Sequence, residues 1–151
     1  MNLQSPPKPV FRLEDYPYRL SDNVRYADLD PNHHVNNATY STYFETGRVS
    51  LIRDPKFGLM PAGLSWVLAH LAIDFKAEVH WPGTVDFGLA VSRMGRTSVT
   101  YEQVVFYKGE CAASAVSITV LVDERTRKPT PLTDEIITKF QPWLRRGTVT
   151  P

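Results

Sequence analysis

The sequence predicts an α+β domain in which an antiparallel sheet of about five strands wraps around one long central helix. Three observations carry that prediction. A strand pattern opens the chain after a proline-rich start, residues 37–53 then show helical spacing, and nearly all the apolar pattern beyond them alternates with period two. Short connections between the alternating segments favour antiparallel neighbours.

In chain order, residues 1–10 carry Pro6, Pro7 and Pro9 and no pattern able to bury itself, so an extended tail is expected. The folded domain is expected over residues 11–146, with residues 147–151 as a C-terminal tail. In residues 20–27 the β-prone Val24 and Tyr26 alternate with Asn23 and Arg25, which predicts the first strand. In residues 37–53, Tyr40, Phe44, Leu51 and Ile52 recur near helical intervals, the Asn36-Asn37 pair offers an N-cap, and Pro55 limits the far end. At ~1.5 Å per residue such a helix runs roughly 25 Å, enough to cross one face of a sheet. A loop rich in Pro and Gly follows over residues 54–65. Val67, Ala69, Leu71, Ile73 and Phe75 then alternate with His70 and Asp74, and Val85, Phe87, Leu89 and Val91 with Asp86 and Ser92. Val99, Tyr101, Val105 and Tyr107 mark a further strand, and Val116, Ile118, Val120 and Val122 the last. Turn signals at Trp81-Pro82-Gly83, Met94-Gly95-Arg96 and Lys108-Gly109-Glu110 separate these four strands, which are expected to form a meander. Thr133, followed by Asp134 and Glu135, caps a short helix ending near Phe140. One helix covers only part of such a sheet, so apolar sheet surface or an edge strand is expected to meet a second subunit.

Composition narrows the function. At 151 residues the chain suits one domain able to bury about 68–70% of its unfolded surface. The 17 Lys and Arg residues nearly balance 16 Asp and Glu, a formal net charge of +1, so charge alone draws it neither to nucleic acid nor to an anionic membrane. Cys111 is the only cysteine, which rules out an intrachain disulfide and a zinc site built on several thiolates. No metal site is expected. The N-terminus lacks the basic start and apolar run of a signal peptide, and no window reaches the ~18 apolar residues of a membrane span, so a cytoplasmic location is expected.

The densest chemistry lies in Asp28-Leu29-Asp30-Pro31-Asn32-His33-His34-Val35-Asn36-Asn37, where only Leu29, Pro31 and Val35 lack a polar side chain. Packing rarely demands so many titratable and hydrogen-bonding groups at once, whereas acid/base or acyl-transfer chemistry commonly does. The amides that open the helix at Asn37 carry the positive end of its dipole, suited to an oxyanion.

These residues carry a resemblance. The segment VRYADLDPNHHVNNATYSTYFETGR, residues 24–48, resembles the opening strand, loop and helix of hot-dog-fold acyl thioesterases of the 4-hydroxybenzoyl-CoA thioesterase-like group. GRTSVTYEQVVF, residues 95–106, resembles that group's strand after a Gly turn, so the similarity runs from Leu20 to Val122. The resemblance implies a single hot-dog domain, Asp30 as the catalytic carboxylate acting as base or nucleophile, and the Asn37 amide as the oxyanion contact. The polar segment also resembles D-L-D-x-N-x-H-V-N-N of plant acyl-acyl-carrier-protein thioesterases, which places the catalytic Asp, Asn and His on Asp30, Asn32 and His34. Those enzymes carry two hot-dog repeats, and this chain has length for one. A homodimer with the active site at the subunit interface is therefore implied, with pairing into a homotetramer left open. The simpler bacterial members usually place Gly or a small residue where His33 stands. The implied substrate is an acyl-CoA or acyl-carrier protein, with no cofactor beyond the substrate's own coenzyme A. Tyr40 reads as core and, one turn beyond the oxyanion site, as a candidate wall of the acyl pocket. Coenzyme A phosphates would favour cations such as Arg96, which with Arg93, Arg125, Arg127 and Lys128 lies near predicted strand ends and also reads as a solvated charge. The resemblance brings Thr97 and Ser98 near the pantetheine arm.

Each residue also has a structural reading. Asp30 can cap a helix, Asn32 can serve a turn after Pro31, and His34 can be a loop imidazole satisfied by backbone. Asp28 reads as strand-end structure that would share a face with Asp30. Glu45 and Arg48, at i and i+3, read as a surface or interface ion pair, and His70 and His80 as polar-face or turn residues. Two further functions compete. Hot-dog hydratases carry D-x-N-P-x-H, matched by residues 28–33 except for Asp30 at the Asn place, so Asp28 and His33 would hydrate an enoyl thioester. A non-catalytic acyl-CoA-binding module would need the pocket without the carboxylate.

Overall fold

A computed structural model describes residues 5–146. The 147–151 tail and the first four residues of the expected N-terminal tail lie outside that range, and residues 5–10 have no regular secondary structure. Seven elements build the domain: β1 (Tyr18–Asn23), α1 (Asn37–Ile52), β2 (Leu64–Phe75), β3 (Thr84–Met94), β4 (Ser98–Tyr107), β5 (Glu110–Asp123) and α2 (Asp134–Phe140). The strands form one antiparallel sheet in the order β1-β3-β4-β5-β2.

Helix α1 forms where the spacing predicts it. Tyr40, Tyr43, Phe44, Gly47, Arg48, Leu51 and Ile52 make one buried stripe, and the Asn36 carboxamide caps the first turn by accepting the Ala38 N–H at 2.9 Å. The stripe divides the core lengthwise. Tyr40, Tyr43 and Phe44 pack with Val35, Val79, Val85, Phe87 and Val105 at one end. Leu51 and Ile52 pack with Tyr101, Leu121 and the α2 residues Ile136 and Phe140 at the other. Gly47 permits a close approach there, because a Cβ on it would stand 3.1 Å from the Gln103 amide nitrogen.

Three expectations are corrected. The first strand occupies Tyr18–Asn23, not residues 20–27. Beyond Asn23 the Asp28 carboxylate accepts the Arg25 N–H at 2.9 Å, and this local bond winds Tyr26–Asp28 into a 3-10 turn. The four later strands do not form a meander, since β2 pairs with β5 on the far edge, not with β3. The connection after Phe75 is a crossing segment, not a hairpin: Val79 is fully buried beneath α1's first turn, and Lys76 and Ala77 donate to the Ala112 carbonyl. Strand β5 begins six residues before Val116, because Ala112, Ala113 and Ala115 lie buried where the aromatic end of α1 needs small neighbours. Among the described residues no helix is long and apolar enough to cross a membrane.

Candidate active site

The polar segment folds into a small hairpin. Leu29 and Val35 pair across an antiparallel bridge, Asp30 N–H donates to His34 O at 3.0 Å, and His33 N–H donates to Asp30 O at 3.0 Å. Its residues suit that turn. Asp30 Oδ1 accepts the Asn32 N–H at 2.8 Å, and Pro31 supplies a preset φ at the second turn position. His33 sits at φ 64°, the left-handed conformation that glycine adopts most readily. The small residue at this place in the resembling bacterial enzymes thus has a backbone reason, and His33 takes the conformation with its side chain exposed.

Asp28 anchors this hairpin to α1. Its Oδ2 accepts the Tyr43 hydroxyl at 2.8 Å, and its carbonyl accepts the Asn36 N–H at 2.9 Å. Burial and the Asp28 carboxylate push the Tyr43 hydroxyl far above its ordinary pKa of 10, so it stays a donor. Asp28 lies on the 3-10 turn, not at a strand end sharing a face with Asp30. Of the two residues the hydratase reading uses, Asp28 holds Tyr43 and the Arg25 N–H through Oδ2, and His33 is exposed on the loop.

The hairpin delivers His34 to the start of α1. His34 Nδ1 lies 3.9 Å from Asp30 Oδ2, and Nε2 lies 3.9 Å from Glu78 Oε1, so two carboxylates bracket the ring. With Asp30 Oδ1 held by the turn, Oδ2 is the oxygen turned toward the imidazole. The Asp30 side chain is 16% exposed. Above them the cap uses two amides of the first turn, with Ala38 N–H on the Asn36 side chain and Thr39 N–H on the Asn36 carbonyl. The Asn37 N–H has no acceptor among the described residues. Asn37 borders a cavity of about 240 Å³ that His34, Tyr40, Phe75 and Glu78 help to line.

His34, Asn37 and Tyr40 line this cavity together, while Asp30 does not line it and meets the group only through its Oδ2, 3.9 Å from His34 Nδ1. Tyr40 is buried, with its hydroxyl 3.4 Å from Ala77 O and its ring edge-on to Phe75, so it is both core and cavity wall. Asn32 is exposed on the loop and contributes its backbone N–H to the turn. Arg96 and Thr97 precede β4 and Ser98 opens it, at the opposite end from Tyr107, and the strand's ten residues span about 30 Å at ~3.3 Å each. Within one protomer they do not reach Asn37. Two expectations change here. His80 is no remote turn residue: its ring lies 6.4 Å from that of His34, and Glu78 Oε2 lies 3.4 Å from His80 Nε2. Glu45 and Arg48 form no ion pair, because Arg48 turns inward and is 4% exposed, donating to Gln103 Oε1 at 3.2 Å. Glu78 joins the site with little in the sequence to mark it. Its one sequence signal was an acidic residue two before a histidine in the segment between strands. Among the described residues no group of three His, Cys, Asp or Glu side chains is placed to hold a metal ion.

The fold is that of a single hot-dog domain, with a carboxylate and an imidazole beside the helix start. Residues 24–140 match the thioesterase-like superfamily, and the chain belongs to it. No curated protein matches. Among solved structures, a Pseudomonas aeruginosa protein is similar at 26% identity and TM-score 0.80, over 89% of this chain and 96% of that one. A Thermus thermophilus thioesterase complexed with coenzyme A and Zn is 28% identical with TM-score 0.74, over 85% and 95% of the two chains. A Staphylococcus aureus DHNA-CoA thioesterase is 26% identical with TM-score 0.68, over 76% and 79%. Family membership supports acyl thioester hydrolysis, in general terms, for this chain.

Proposed function

We propose that the protein hydrolyses an acyl-CoA to the free acid and coenzyme A, with Asp30 as general base or nucleophile and the Asn37 amide as oxyanion donor. The observation that carries this reading is that Asn37, whose N–H has no acceptor among the described residues, lines the same cavity as His34. A thioester carbonyl placed there meets the positive end of the helix dipole as its oxygen gains charge. In the base route, Asp30 takes a proton from water as the oxygen attacks, the C–S bond breaks, and a proton passes to the leaving thiolate. His34, 3.9 Å from both Asp30 and Glu78, would carry that proton. Coenzyme A as the thiol carrier is supported by the Thermus thermophilus relative, solved with that molecule.

A thiol-reactive dye tests the activity directly on a panel of short, long and aromatic acyl-CoAs. Thiol release from at least one is expected. A protein that consumes the enoyl chromophore of crotonyl-CoA without freeing thiol would be the hydratase instead, and one that binds acyl-CoA with no turnover would be the binding module.

The same reading includes a dimer. Strand β2 is a long sheet edge with nothing paired on its outer side among the described residues, and Val67, Leu68 and Phe75 are 40%, 44% and 52% exposed along it. A second copy adding its own β2 in antiparallel fashion would cover both features. Light scattering is expected to give a dimer mass for the wild type and a monomer mass when Val67 and Leu68 are both replaced by Lys. A monomeric wild type at micromolar concentration removes the dimer.

A further inference from the structure

A second cavity lies beside the C-terminal half of α1, away from the Asp30 loop. It holds about 170 Å³, near the ~150 Å³ of an engineered cavity that admits benzene. Ile52, Met60 and Trp66 give it apolar walls, and Arg48 and Arg53 outnumber its one carboxylate, Glu45. Arg48 is the unusual member. A guanidinium 4% exposed is costly unless an anion accompanies it, yet its side-chain partner is the neutral Gln103. Gln103 is already committed, with Oε1 also accepting Ser117 at 2.9 Å and Nε2 donating to Phe44 O at 2.9 Å. Among the described residues no carboxylate pairs with Arg48, and Glu45 acts on it only at longer range. Burial accordingly lowers the Arg48 pKa. Of five guanidinium donors, most remain for a ligand in the cavity.

Within one copy this cavity is remote from the reacting centre, since Asn37 to Arg48 is about 16 Å along the helix. Two-fold pairing of β2 with itself removes the gap. Antiparallel pairing sets the Phe75 end of one strand, beside the catalytic loop, next to the Trp66 end of the other, beside Arg48. We propose that the Arg48 cavity of one copy receives the distal end of the acyl group hydrolysed at the other copy's Asp30, and that it selects acyl chains ending in a carboxylate. This rests on the thioesterase reading and its dimer.

The test compares kcat/KM for adipoyl-CoA with that for hexanoyl-CoA, chains of equal length ending in carboxylate or methyl. The wild type is expected to favour adipoyl-CoA, and Arg48→Gln to lower the ratio about 10- to 100-fold, the range for a charge-assisted hydrogen bond. Arg48→Lys, which keeps the charge, is expected to retain part of the preference and guards against a variant that merely folds poorly. An unchanged ratio in a folded Arg48→Gln protein overturns the proposal. Subunit origin is read from mixed dimers of Asp30→Ala and Arg48→Gln chains. Mixing is expected to restore adipoyl-CoA turnover to about a quarter of wild type, since about half of random dimers are mixed and each carries one complete site. No restoration overturns the shared pocket. Calorimetry with free adipate keeps this separate from the catalytic reading. Binding lost in Arg48→Gln supports the carboxylate site even if no acyl-CoA is hydrolysed, and no binding to the wild type overturns it.

Discussion

Replacing Asp30 with Ala is expected to lower kcat by at least about a hundredfold, the lower end of what a positioned acid or base contributes. The side chain also accepts the Asn32 N–H at 2.8 Å, so the Ala variant loses a turn bond together with the reactive carboxylate. Asp30→Asn separates the two roles. Its amide oxygen can still accept from Asn32, while it can neither take a proton from water nor attack a carbonyl. The expected pattern is therefore equal loss of turnover in both variants, measured by thiol release, with the melting temperature of Asp30→Asn closer to wild type. An Asp30→Ala protein that keeps its activity removes the mechanism, leaving the oxyanion site and binding as the source of rate.

Phe44→Ala carries the largest expected loss of stability, about 3–5 kcal/mol. Phe44 is 1% exposed at the middle of α1's buried stripe, and its carbonyl also accepts the Gln103 amide at 2.9 Å. Removing the ring opens a cavity between the helix and the sheet, where Tyr43 and Val105 have fixed neighbours and little room to collapse. For a chain of this length the midpoint of thermal unfolding is expected to fall by roughly 6–20 °C. A drop under about 1 kcal/mol in urea unfolding would mean that Phe44 does not hold the helix on the sheet. Activity at low temperature should suffer less than stability, because the Asn36 cap and the loop bonds of Asp30 do not involve the ring.

Local chemistry was legible wherever the deciding interactions are near in sequence. The helix begins where an Asn offers a cap and ends before Pro55, and the period-two runs around Val85, Val99 and Val116 are strands. The polar segment was also readable as a site from its composition, before any geometry. What misled was equally local. Tyr26 looked like the next step of an alternating strand, yet the Asp28 carboxylate reaches back to Arg25 and turns the chain there. Glu45 and Arg48 had the spacing of an ion pair, but Gly47 leaves room for Gln103 to meet the guanidinium inside the core.

Which residues could hold each element was thus written in the chain: the helix and its cap, the strands, and the Asp30-to-Asn37 loop, all set by spacings of a few residues. Long-range placement was not. Alternation in β2 says that the strand has two faces, but not that its partner is β5 rather than β3, because pairing depends on which distant edge the crossing segment reaches. That same crossing buries Val79 under the helix start, where its carbonyl accepts the Val35 N–H at 2.8 Å, and it carries Glu78 and His80 to His34. The opening segment thus acquires, from more than forty residues away, the second carboxylate that brackets its histidine. No local pattern could have announced it, since the contact exists only once the core has closed around the helix.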